Sequence, residues 1–246
     1  HLVDLRERFV VNDAPVTPAD LDRALGRVFE AIDHLLATGV LRHPPTFFEA
    51  TTALGFDLFR AAGVQVAVIE VGLGGRFDAT NVIAAPVGAI TTIGLDHQQQ
   101  LGSTLDAIAF EKAGIIKHGM RVVVGRLDAG PLEVVGRVAH DRQAHLVEIA
   151  GTPVTSDLID GQAHVTIETS HHRYGPLALG LRGAHQVDNA VVAVHVLEGL
   201  QAAGVAVPER AIEAGLRDVS WPGRLEWCPL GHDRAILIDA AHNPQG

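Results

Sequence analysis

Val68-Ile-Glu-Val-Gly-Leu-Gly-Gly-Arg-Phe-Asp-Ala-Thr-Asn81 joins an apolar run, one acid and a glycine-rich turn within fourteen residues. The run from Gln65 to Val71 has the pattern of a parallel strand covered on both faces, and it ends on Glu70 just before the glycines. Ligands of open α/β sheets gather at such carboxyl ends. The stretch therefore predicts both a fold class and the position of a site. Gly72, Gly74 and Gly75 permit close approach of backbone to a ligand, and Arg76 and Asp78 follow with opposite charge. The spacing differs from the dinucleotide fingerprint. A tight surface loop closed by an Arg/Asp pair is the competing reading.

The next apolar run, Pro86 to Ile93, predicts a second parallel strand, whose end delivers Leu95-Asp96-His97. If the two strands are neighbours, Glu70 and His97 meet at one sheet edge. A carboxylate and an imidazole there suit Mg²⁺ held with substrate phosphates, the protein supplying one or two ligands and water the rest. A hydrogen-bonded structural histidine is the alternative for His97.

Around these strands the sequence alternates. Thr17-Pro-Ala-Asp opens a helix that runs to about Gly39, and a second helix spans about Pro45 to Ala62. At its start, Phe47, Phe48 and Glu49 are compatible with a substrate pocket for a planar heterocycle, or with an acid at a helix N-terminus beside two core aromatics. Ser103 or Thr104 caps a helix from Leu105 to about Ile116 that carries Lys112. Lys112 and Lys117 are the chain's only lysines. Arg121–Gly125 reads as a strand, 132–141 as a helix and 144–149 as a strand, which together predict a doubly wound, mostly parallel sheet flanked by helices. Short alternations at 163–168 and 173–181 predict antiparallel strands at its edge. A helix follows from about Gly183 to Ala203, with Asn189 in its first turns, and another from Pro208 to Asp218. Trp221-Pro-Gly-Arg224 reads as a rigid turn, and the strand Ala235–Ile238 leads into Asp239 and His242.

Composition narrows the function. A formal charge of −10 and a pI near 5.7 leave no basic stripe for nucleic acid. With Cys228 as the single cysteine no intrachain disulfide exists, and no run has the length of a membrane span. The expectation is a cytoplasmic protein without nucleic-acid or membrane partners.

Six blocks, namely 70–81, Leu95-Asp-His97, Glu111-Lys-Ala-Gly-Ile115, His185-Gln-Val-Asp-Asn-Ala190, Pro222-Gly-Arg224 and Asp239-Ala-Ala-His-Asn-Pro244, occur in an order that resembles folylpolyglutamate synthase/dihydrofolate synthase, a family of the Mur ligase superfamily. The resemblance covers the whole chain. It implies an ATP-dependent ligase that activates dihydropteroate or a folate as an acyl phosphate and joins it to L-glutamate, with ATP and Mg²⁺. It implies Glu70 and His97 as Mg²⁺ ligands, and Lys112 as a lysine that is carbamylated. Asn189 resembles the adenine contact, Arg224 the phosphate contact and Asp239 the ribose contact, with His242 nearby. Thr46, Phe48, Glu49 and the segment Arg76, Phe77, Asp78 resemble the pterin side. Lys112, Arg224 and His242 are the residues it implies in catalysis.

The family's Gly-x-x-Gly-Lys-Gly-Ser P-loop does not occur in these residues, so the resemblance implies an internal fragment that by itself binds ATP poorly. It further implies a central domain over 1–222, the start of a glutamate-binding domain over 223–246, and a monomer. Another Mur-type amino-acid ligase would share the sheet and the Mg²⁺ logic without the 70–81 loop, and a non-catalytic folate-binding remnant is the non-enzyme reading.

Overall fold

The computed structural model describes residues 3–159, 161–231 and 234–240. They fall into two compact units, residues 1–83 and 84–246.

The first unit is mainly helical. Its entry is a 3₁₀ turn, Leu5–Arg8, followed by a short antiparallel pair, β1 (Val10–Val11) and β2 (Ala14–Pro15). Thr17 caps α1 (Pro18–Ala37) by accepting the Asp20 amide at 3.1 Å, with proline in the first turn, where its missing N–H costs no helical bond. Then comes α2 (Phe47–Ala61), and the two helices close over Phe9, Val16, Ala24, Leu54 and Leu58. Asp57 of α2 accepts from Arg27 of α1 and from Arg60, and these two guanidinium groups lower its pKa.

The run Gln65–Val71 does not form the expected strand. It lies outside any ladder, with Val66 44% and Val68 95% exposed. A strand exists only through hydrogen bonds to a neighbour, so composition marks a segment able to join a sheet without supplying its partner. Glu70 is therefore exposed on an extended segment rather than at a strand's carboxyl end.

The second unit holds the parallel sheet. Its strands β3 (Val87–Ile90), β4 (Arg121–Val124) and β5 (His145–Glu148) lie in the order β3-β4-β5. Between β3 and β4 the chain makes a single turn, α3 (Gln98–Leu101), and then α4 (Leu105–Ala113), capped by Thr104. Between β4 and β5 runs α5 (Ala129–Asp141). The central strand shows why both faces are covered: Val122, Val123 and Val124 are all fully buried. Val122 and Val124 face Ala109, Ala113, Val134 and Val135 of α4 and α5, while Val123 faces the opposite cluster. Burial of each valine is worth about 1.5–3 kcal/mol.

The antiparallel strands form a sheet of their own, β6 (Val154–Ile159), β7 (Gln162–Glu168) and β8 (Arg173–Ala178). It is tied to the parallel sheet through α6 (His185–Ala202), which packs on β3, β4 and β7. This helix buries Ala190, Val191, Val192 and Val194 in one core with Val123, Val165 and Tyr174, since its apolar residues run around the whole circumference. Next, α7 (Glu209–Asp218) packs on β8. The chain closes in an antiparallel hairpin, β9 (Glu226–Gly231) with β10 (Arg234–Ile238). The sequence foretold only the second of these strands. Among the described residues no helix is long and apolar enough to cross a membrane.

Polar groups lie buried beneath α6. Glu198 Oε1 accepts from Thr169 Oγ1 at 2.6 Å and from Tyr174 Oη at 3.1 Å, and His195 Nε2 pairs with Thr152 Oγ1 at 2.7 Å. His195 Nδ1 and Glu198 Oε2 face each other at 3.8 Å without a hydrogen bond. Burial lowers the pKa of His195; Glu198 opposes this, while Arg121 and His171 add to it. Burial, and then Glu198, push the Tyr174 phenol well above its usual range.

A folded-state pKa below the unfolded value of about 6.5 means that between the two the unfolded chain binds more protons. This part of the stability is present in full above about pH 6.5 and is lost as pH falls through the folded pKa. His195→Gln is expected to flatten the stability curve below pH 6.5 relative to the parent, as measured by urea unfolding at stepped pH. An unchanged slope would count against a buried neutral imidazole.

Candidate functional site

In the first unit the start of α2 and the glycine loop form one cluster. Thr46 and Glu49 make a reciprocal capping box: Thr46 Oγ1 accepts the Glu49 amide at 3.2 Å, and Glu49 Oε2 accepts the Thr46 amide at 2.7 Å and its hydroxyl at 2.8 Å. These bonds, led by that to the Thr46 amide, lower the Glu49 pKa. The carboxylate thus has the structural task that the sequence offered as one of two readings. Phe48, half-buried, lies against Gly72: a Cβ on Gly72 would sit 2.4 Å from the ring. No side chain fits there, which gives this glycine a packing reason. Phe47, beside it, is 65% exposed with Arg8 6.0 Å from its ring centre.

The loop is held from within by Asp78. Its Oδ2 accepts the amides of Gly72 at 3.0 Å and Leu73 at 2.9 Å, while Oδ1 accepts the amide of Thr80 at 2.9 Å and its hydroxyl at 2.6 Å. Four bonds to one carboxylate define a compact anchored loop. Asn81 Nδ2 donates to the Arg76 carbonyl at 3.0 Å, and the Arg76 guanidinium lies 4.2 Å over the Phe77 ring. Phe77 itself is 82% exposed, an apolar plane presented to solvent beside a cation.

In the second unit His97 precedes α3 in a left-handed conformation, φ 48°, with its amide donating to Asp96 Oδ1 at 2.8 Å and its Nε2 3.9 Å from the same oxygen. Such a conformation in a non-glycine residue costs on the order of 1 kcal/mol and is kept where the surroundings fix it. The imidazole is exposed. Lys112 is half-buried in the last turn of α4. Among the described residues no group of three or more His, Cys, Asp or Glu is arranged to hold a metal. Glu70 is an exposed carboxylate of the first unit and His97 an exposed imidazole of the second.

The three residues expected around a nucleotide lie on adjoining turns. Asn189 is on the second turn of α6, where Nδ2 donates to Gln186 Oε1 at 3.0 Å, and Gln186 is paired in turn with His185 Nε2 at 3.0 Å. Ala184 precedes the helix with no side-chain cap, so Asn189 is not a capping residue. Gly183 packs against both His185 and Leu225: a Cβ there would approach the His185 ring to 2.7 Å and Leu225 Cδ1 to 2.9 Å. That contact seats the Arg224 turn beside the start of α6. The turn is fixed by Glu226, whose Oε2 accepts the Gly223 amide at 2.8 Å, and by Asp239, whose Oδ2 accepts the amide of Leu225 at 2.8 Å. Leu225 is left-handed too, φ 44°. Arg224 and Asp239 are exposed and thereby brought together. His242 lies outside the described residues.

Two features escaped the sequence. A cavity of about 670 Å³ is walled by Arg126, Val187, Asp188, Leu225, Trp227 and Leu237. Neither Asn189 nor Asp239 lines it, but it adjoins the nucleotide constellation through Gly183, Asp188 and Leu225. Arg126 Nε pairs with Asp188 Oδ1 at 2.8 Å on its wall. Gln186 stands in the block 185–190, but its role there was not legible, depending on the helix that places it one turn before Asn189.

No family model matches the chain. It is 36% identical over 250 residues to the folylpolyglutamate synthase of Lacticaseibacillus casei, covering 100% of this chain and 57% of that one. With the dihydrofolate synthase/folylpolyglutamate synthase of Bacillus subtilis it shares 31% over 250 residues, with the same coverage. Among solved structures, an FPGS–AMPPCP complex superposes with a TM-score of 0.92 at 33% identity, covering 100% of this chain and 61% of that one. The chain thus spans just over half the length of the relatives it matches.

Asp78→Ala removes all four acceptor bonds from the 72–80 loop and is expected to cost about 2 kcal/mol. Asp78→Asn, which keeps one acceptor oxygen, should cost roughly half. Urea unfolding reads the loss, and chymotrypsin should cut after Phe77 faster in the alanine variant. Equal stability and equal cleavage in all three proteins would contradict the anchoring role.

Proposed function

This chain is homologous along its whole length to the folylpolyglutamate synthase/dihydrofolate synthase family, and we propose that it carries nucleotide- and folate-handling parts of an ATP-dependent ligase that adds L-glutamate to dihydropteroate or to a folate. The observation that carries this reading is the packing of the Arg224 turn, pinned by Asp239, against the start of the helix bearing Asn189. A base contact, a phosphate contact and a ribose contact then face one nucleotide. In the relatives' solved complexes the ligands named are AMPPCP, ADP and, in one, folate.

In the proposed reaction a substrate carboxylate oxygen attacks the γ-phosphorus of ATP, the bond to ADP breaks, and an acyl phosphate forms. The amine of glutamate then attacks the acyl carbon, inorganic phosphate leaves, and the amine loses a proton. Arg224 offsets charge on the transferring phosphoryl group. Asn189 holds the adenine and Asp239 the ribose. His242 is proposed to take part in catalysis. Phe48 and Phe77 provide flat apolar surface for the pterin, with Arg76 beside them, and Thr46, Glu49 and Asp78 keep that surface in shape.

Glu70 and His97 are the residues that would hold Mg²⁺, which supplies charge neutralisation on the phosphate oxygens. Lys112 is proposed to lose a proton from its ammonium, attack CO₂ through Nζ and lose a second proton, forming a carbamate. This turns a +1 group that repels a cation into a −1 oxygen donor. Residues 1–222 are read as central-domain sequence and 223–246 as the opening of a second domain. The setting is cytoplasmic, the protein monomeric, and its partners small molecules rather than nucleic acid or membrane.

In the enzyme as encoded, with whatever sequence flanks this chain in its gene, Glu70→Gln and His97→Ala are each expected to lower ATP-dependent amide formation about a hundredfold, the effect of losing ~3 kcal/mol of charge stabilisation. Unchanged rates and Mg²⁺ dependence would remove both residues from the metal. Lys112→Ala should lose activity and regain part of it with added short carboxylates. Full activity without rescue would exclude the carbamate.

A further inference from the structure

We propose that Gln186 is a positioning residue that fixes the direction of the Asn189 amide and thereby makes the site prefer adenine over guanine. The inference rests on the reading of Asn189 as the base contact and adds the residue that sets its selectivity.

Gln186 is 7% exposed, although it lies in the first turn of a helix whose start is open. Buried amides need partners at both ends, and Gln186 finds them on either side. Its Nε2 pairs with His185 Nε2 at 3.0 Å, and its Oε1 accepts from Asn189 Nδ2 at 3.0 Å. The His185 ring lies against Gly183, where any larger residue would collide with it. The sense of the chain of amides follows from the His185 tautomer with Nε2 unprotonated. A ring nitrogen that accepts turns the glutamine NH₂ toward His185 and its oxygen toward Asn189.

That oxygen takes one Nδ2 proton of Asn189, leaving the second Nδ2 proton and the Oδ1 acceptor to face outward from an exposed side chain. A donor beside an acceptor matches adenine, which offers the N6 amine as donor and N7 as acceptor. Guanine presents O6 and N7, both acceptors, so its O6 would oppose Asn189 Oδ1. An asparagine free to rotate its amide would still meet an acceptor-only edge with a single NH₂ group, and the penalty against guanine would fall. Gln186 removes that freedom without touching the base.

The test measures binding of AMPPCP and of its guanine counterpart to the chain by NMR titration at millimolar ligand, alongside the Asn189 side-chain NH₂ signals without ligand. The parent is expected to prefer adenine and to show two well-separated Asn189 Nδ2 protons, one slowed in exchange. Gln186→Met, close in volume, should return the Asn189 NH₂ shifts and exchange rates to those of an exposed asparagine and lower the adenine preference by about tenfold. Gln186→Glu keeps an oxygen for Asn189 and should retain both signatures. A role in stability alone would shift unfolding while leaving the preference intact. Preference retained in Gln186→Met, or lost in Gln186→Glu, overturns the proposal. A parent without any adenine preference overturns the reading of Asn189 itself, and the proposal with it.

Discussion

Helix α6 is apolar on all sides, and much of the second unit follows from the need to cover it. One side meets the parallel strands β3 and β4, another the antiparallel strand β7, and Val123 shares a core with Val165 and Tyr174 because the helix lies between them. A helix fixed on several sides has little freedom to rotate. Its first turns carry Gln186 and Asn189, so the packing that stabilises the unit also sets where those amides point.

Site turns are shaped by acids that accept backbone amides. Asp78 takes the amides of Gly72, Leu73 and Thr80, Asp96 takes that of His97, and Asp239 takes that of Leu225. Each binds a donor that an irregular loop would otherwise leave to water, and each sits next to a residue proposed to meet a ligand. Two of these turns hold a non-glycine residue in left-handed geometry, His97 and Leu225. The strain is local, and the neighbouring carboxylate bond helps to retain it.

Polar chemistry is also buried away from these turns. Glu198, His195, Tyr174, Thr152 and Thr169 join α6 to the antiparallel sheet and the segments beside it. Their burial favours neutral imidazole and neutral phenol, which is the price of placing such groups in a core that is otherwise aliphatic.

By itself the sequence determined the helices opening at Thr17, near Pro45 and at Ser103 or Thr104, and the strands near 121–125 and 144–149, because capping and apolar periodicity are local properties. Its ordered blocks also determined the kinship. Tertiary structure decided what depends on partners. The run 65–71 has strand composition and no ladder, since pairing belongs to two segments and not to one. The alternating stretches near 163–181 made a separate sheet because α6 lies between them and the parallel strands. Glu49 became a cap and Asp78 a loop anchor, while Gln186, given no role by the sequence, acquired a task. A side chain's role is set by which donors and acceptors the fold brings within about 3 Å of it, and that distance is not written along the chain.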